Sequence, residues 1–153
     1  MVTAAPRLNL GAVRTTQKRK TMADTVFNAH KPARELPISK TTGDLLVAVD
    51  KQLKHLPTDV RHTYGRDYIL LLLEMRRLVR KANAARSLED KADRIAEFID
   101  AYDDLADLLK LKADTGDFPK PAYCELLLPL GSLSKQAHGW YNSVLEKLKS
   151  SDQ

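Results

Sequence analysis

A single cysteine, Cys124, among 153 residues leaves no intrachain disulfide to form and makes a cysteine metal cluster untenable. That usage suits a reducing cytoplasm. The longest apolar run, Ile69–Leu73, is far too short to span a bilayer, so no membrane segment is expected. No apolar stretch of signal-peptide length follows the start. Glycines 43, 65, 116, 131 and 139 stand singly, which excludes a glycine-rich loop that cradles phosphate. The four histidines, His30, His55, His62 and His138, are scattered, and no Ser-His-Asp or Cys-His context accompanies them. They read as surface or capping residues. A hydrolytic or metal-dependent enzyme would need ligand clusters that the chain lacks, so no catalytic residue, metal or cofactor is expected.

What is present is charge, unevenly placed. Residues 1–42 carry eight Lys/Arg against Asp24 and Glu35, a net +6. Residues 43–153 carry seventeen Lys/Arg against eighteen Asp/Glu, a net −1. The basic character therefore belongs to the N-terminal segment. That segment has Pro6, Pro32 and Pro37 and no sustained periodicity, and it cannot bury enough surface to offset the entropy of ordering it. Residues 1–42 are expected to be a disordered basic tail. Within it, 1–21 lacks any acid and loosely resembles an organelle transit peptide. A solvated tail, or an upstream start codon with Met22 as the initiator, is the blander reading.

Residues 43–150 carry helical periodicity throughout, and the expected class is all-α, an antiparallel up-down-up-down four-helix bundle. A first helix is predicted from Thr42 as N-cap, with Asp44 in its first turn and Leu45, Val49, Leu53 and Leu56 on one face, ending before Pro57. A second spans about 59–84, with Tyr68, Met75, Leu78, Val79 and Ala82 as its main stripe. Gly65 inside it costs about 1 kcal/mol relative to alanine, implying close backbone packing or a local kink. A third spans about 88–113 behind the N-cap Ser87 and stops at Gly116. Its inner stripe is Ile95, Phe98, Ile99, Tyr102, Leu105, Ala106 and Leu109. A fourth spans about 121–149 on Leu126, Leu130, Leu133, Ala137, Trp140, Val144 and Leu148, and Pro129 with Gly131 should bend or interrupt it.

Three surface features carry the functional signal. Ile69, Leu70 and Leu73 point away from the main stripe of the second helix, and a second apolar face in so small a bundle suggests a subunit interface. Arg76, Arg77, Arg80, Lys81 and Arg86 cluster at the end of that helix. Clustered cations hold phosphates. They also complement a helix C-terminus, or pair with acids of the next helix. Those acids, Asp93, Glu97, Asp100, Asp104 and Asp107, share one outer stripe that fits a basic partner or simply a solvated face. No histidine or calcium-loop spacing accompanies them, so they make no metal site. Trp140 and Tyr141 sit at stripe positions and read as core rather than as base-stacking platforms.

Two runs, RRLVRKANAAR (Arg76–Arg86) and SKQAHGW (Ser134–Trp140), give about residues 43–145 a resemblance to the bacterial four-helix-bundle family that includes the Avd accessory protein of diversity-generating retroelements and the proteins of ribosomal-RNA intervening sequences. The resemblance implies a non-enzymatic, cytoplasmic homopentamer that binds a reverse transcriptase and its template RNA, and contacts cDNA, to support mutagenic cDNA synthesis. By position, Arg76, Arg77, Arg80, Lys81 and Arg86 would form the nucleic-acid or polymerase surface. An intervening-sequence type of bundle, with a structural or RNA-associated role, is the alternative. One departure stands out: the retroelement members are basic over the body, whereas this body sums to −1.

Overall fold

Pro37 opens the first helix of the computed structural model, which describes residues 36–152. The fixed φ of proline suits the first helical turn, and Leu36 before it is extended. Helix α1 runs Pro37–Leu53 with Leu36 as its N-cap, six residues earlier than the Thr42 cap predicts. Thr42 is instead fully buried, its hydroxyl donating 2.7 Å to the Ile38 carbonyl. Ile38 and Thr42 continue the Leu45, Val49, Leu53 stripe backwards at helical spacing, and their burial outweighs the local cap chemistry of Thr41–Asp44. Residues 37–42 thus belong to the bundle, and the remainder of the expected tail, 1–35, lies outside the described residues.

Helix α2 has three parts: an α turn Thr58–Val60, a π segment Arg61–Gly65 and the α segment Arg66–Ala84. Gly65 ends the π segment against α1, where a Cβ would stand 3.4 Å from Leu53 Cδ1. The close packing predicted there is present, accompanied by a change of helical winding. Helix α3, Leu88–Thr115, is bounded as local chemistry dictates. Ser87 Oγ accepts from the Asp90 amide at 3.0 Å, and Gly116 takes φ +85°, open to glycine and strained for other residues. Helix α4, Lys120–Ser151, passes through Pro129 without interruption. Of the expected bend or interruption, the interruption is absent, and Leu126, Leu130 and Leu133 are buried on both sides of the proline.

Among the described residues there are four helices and no strand. Helix α1 packs on α2 and α4, α2 on α3, and α3 on α4. The larger core joins Leu45, Val49, Leu72, Met75, Phe98, Leu105 and Leu133. Phe118, between α3 and α4, closes its lower end with its ring edge-on to Tyr68 at 6.0 Å. A second cluster joins Ala82, Ala92, Ile95 and Val144, and half-buried Trp140 touches both. No helix here is long and apolar enough to cross a membrane.

Candidate functional site

The 3.6-residue repeat of α2 decides which of its cations face solvent. Tyr68, Leu72, Met75, Leu78, Val79 and Ala82 are buried together, and the opposite side carries Arg66, Leu70, Leu73, Arg77 and Arg80 at three- and four-residue steps. Leu70 and Leu73 are 52% and 50% exposed, and Val47 on α1 is 64% exposed. Ile69 differs from its two companions. It is half-buried and packs on the main core, because its position on the helix turns toward α1 rather than outward. The second apolar face therefore rests on Leu70 and Leu73.

The five basic residues at the end of α2 are not equivalent. Arg76 is half-buried, its guanidinium lying over Gly43 of α1, where a Cβ would be 3.6 Å from Nη1. Arg77 is clamped on its own helix: Nε donates 2.8 Å and Nη2 donates 2.6 Å to the two carboxylate oxygens of Glu74. That hydrogen bond, ahead of the charge itself, holds the Glu74 carboxyl below its ordinary range. Arg80, Lys81 and Arg86 are exposed, and among the described residues none has a carboxylate within 4 Å. Among the described residues no direct ion pair joins α3 to this cluster, and Glu97 acts on Arg77 only through charge at longer range.

A shallow cavity of about 430 Å³ sits where α2 turns into α3, lined by Lys81, Arg86 and Arg94 with Ser87 and Asp90. The turn Ala85–Ser87 brings the last cations of α2 over the first turn of α3. Arg94 was not evident from sequence, since it lies inside an acidic run. Its guanidinium reaches Asp90 at 3.4 Å and Glu97 at 2.9 Å, so it is shared between two acids. The net positive charge of the cavity rests on Lys81 and Arg86. Such an arrangement can hold a phosphate by charge, without a buried donor to fix its orientation.

The other candidates are placed more simply. Asp93, Glu97, Asp100, Asp104 and Asp107 are all exposed along α3. His55, His62 and His138 are exposed, and His138 Nδ1 lies 2.9 Å from the Ser134 carbonyl of its own helix; His30 lies outside the described residues. Within the Ser134–Trp140 run, Gln136 Nε2 donates 3.0 Å to Thr41 Oγ1 and ties α4 to α1. Tyr102 donates 2.9 Å to the Leu130 carbonyl and ties α3 to α4. Burial raises the Tyr102 hydroxyl pKa, and the same cause raises that of Tyr68 further. Among the described residues no three His, Cys, Asp or Glu side chains gather as metal ligands would. Comparison with protein-family models finds no match, and no curated protein matches the chain.

Proposed function

We propose that this chain is a non-enzymatic, oligomeric accessory protein that binds a reverse transcriptase and its template RNA in a diversity-generating retroelement. The observation that carries the reading is the outer side of α2, where exposed Leu70 and Leu73 lie between Arg66 and the pair Arg77 and Arg80. An apolar patch bounded by arginine suits a macromolecular contact better than a solvated helix. The resemblance in Arg76–Arg86 and Ser134–Trp140 supplies the kind of partner. In this reading the bundle is antiparallel, up-down-up-down. Supporting contacts are Leu53 with Gly65 and Gly43 with Arg76 between α1 and α2, and Gln52 with Glu125 and Thr41 with Gln136 between α1 and α4. Copies associate through Leu70 and Leu73 into a cytoplasmic homopentamer, leaving Arg80, Lys81 and Arg86 to RNA, cDNA or the polymerase.

Co-expression with a diversity-generating retroelement reverse transcriptase, followed by affinity capture, tests the reading. Capture that is lost in an Arg80→Glu, Arg86→Glu variant supports it. Normal mutagenic cDNA synthesis by the polymerase in the absence of this protein overturns it. Light scattering tests assembly, which Leu70→Glu should abolish while leaving the helices intact. The near-neutral body favours a second reading, a stand-alone bundle of the intervening-sequence type with a structural or RNA-associated role.

A further inference from the structure

The π segment of α2 shapes a second surface, remote from Arg76–Arg86 along the helix. In π winding, residues five apart are bonded and stacked, whereas α winding stacks residues three and four apart. Arg61 and Arg66 are five apart, and both stand on one rim of an open groove between the end of α1 and the start of α2. Its floor is aliphatic, formed by Leu53, Ile69 and Leu70 with the bare backbone of Gly65. On the far rim Asp50 is occupied by Lys54 at 3.5 Å. Among the described residues no carboxylate comes within 4 Å of Arg61 or Arg66, so the groove presents two uncompensated guanidinium groups beside an apolar floor.

We propose that this groove docks an acidic amphipathic segment of a partner protein. One large apolar side chain would rest on Leu53, Ile69 and Leu70, and flanking carboxylates would meet Arg61 and Arg66. The volume, about 270 Å³, falls below the roughly 300–1,000 Å³ of sites that enclose small molecules and cofactors, and suits a single inserted side chain. Nucleic acid would use only the two guanidinium groups and leave the apolar floor uncovered, since stacking of bases calls for aromatic faces. The groove has none, and the adjacent Tyr64 ring is already covered by the Lys112 ammonium 3.5 Å from its centre. Charge complementarity with a carboxylate-bearing helix is the remaining fit, by the helix-in-groove mode. The groove shares Leu70 with the subunit contact proposed above, and its partner does not otherwise rest on the retroelement reading.

The test uses the full chain and two fluorescein-labelled peptides of about 14 residues, a length at which isolated helices are marginal. One carries leucine at i, i+3, i+4 and i+7 with glutamate elsewhere, and its twin carries lysine in place of every glutamate. The glutamate peptide should bind saturably and about tenfold more tightly than the lysine peptide at low salt. Arg61→Glu with Arg66→Glu should invert that preference, and Ile69→Ser, outside the proposed subunit contact, should weaken both peptides. Arg77→Glu with Arg80→Glu should leave the preference unchanged, which separates this groove from the basic end of α2. Equal binding of the two peptides overturns the proposal, as does equal loss in the two arginine variants. Absence of saturable binding also overturns it. If the peptide binds only after light scattering shows subunits separating, a second copy of the chain is the occupant and the partner assignment is wrong.

Discussion

Removing the negative charge that holds one of its arginines should reveal whether the end of α2 binds phosphate, and Glu74 is the residue to change. The Glu74 carboxylate holds Arg77 by two hydrogen bonds of 2.8 and 2.6 Å, whereas Arg80 has no carboxylate within 4 Å among the described residues. Exposed pairs of this kind contribute little to stability, so Glu74→Gln should leave the fold intact. It frees one guanidinium. Each phosphate neutralised on single-stranded nucleic acid adds about 0.7 to the slope of log affinity against log salt. Glu74→Gln should therefore steepen that slope by about 0.7 and raise affinity at low salt. Arg80→Gln should flatten it by about 0.7, a factor of about 2.6 over a fourfold change of salt, and Arg77→Gln should cost less than Arg80→Gln. Fluorescence anisotropy of a labelled single-stranded RNA at stepped KCl reads all three. A Glu74→Gln protein no tighter than the parent, or an Arg77→Gln loss exceeding that of Arg80→Gln, would refute the phosphate assignment. The lowered carboxyl of Glu74 gives the pH sign: the clamp persists above the ordinary carboxylate range of about 4 and opens only as pH falls through the lowered value. Affinity between neutral pH and about pH 5 should not change through this pair.

Tyr68 should weaken the fold at alkaline pH. Its pKa is raised, first by burial and then by Asp117, so the folded chain keeps a proton that the unfolded chain releases near pH 10. The resulting stability is intact below that pH and is lost as pH rises beyond it. Tyr68→Phe should move the alkaline unfolding midpoint, followed by circular dichroism, upward. Gly131 and Gly139 lie inside α4 with nothing within 4 Å of an added Cβ, so alanine at each should stabilise by about 1 kcal/mol in thermal melts. Gly116→Ala should act in the opposite sense because of its φ of +85°. A stability gain at Gly139 accompanied by loss of assembly would place a partner against α4.

Local chemistry alone determined a good part of this protein. Ser87 and Gly116 bound α3 because an N-cap hydroxyl and a left-handed glycine act within a few residues of themselves. The stripes Leu45–Val49–Leu53 and Met75–Leu78–Val79–Ala82 are buried because helical periodicity needs no knowledge of the partner helix. Other features waited for tertiary contacts. Helix α1 starts at Pro37 rather than Thr42, since the burial of Ile38 and Thr42 against the rest of the bundle outweighs an attractive cap. Leu72 and Phe118 are core residues that the pattern passed over, one amid a uniform leucine run and the other between helices. Within the run Ile69–Leu73, periodicity sets Ile69, Leu70 and Leu73 apart from the main stripe, and packing then assigns Leu72 to the core, Ile69 to its edge, and Leu70 and Leu73 to solvent. The basic cluster was legible as five equal charges. The structure distinguishes them, because whether a guanidinium is free depends on side-chain geometry: Arg76 lies over Gly43, Arg77 is clamped by Glu74, and Arg80, Lys81 and Arg86 face water.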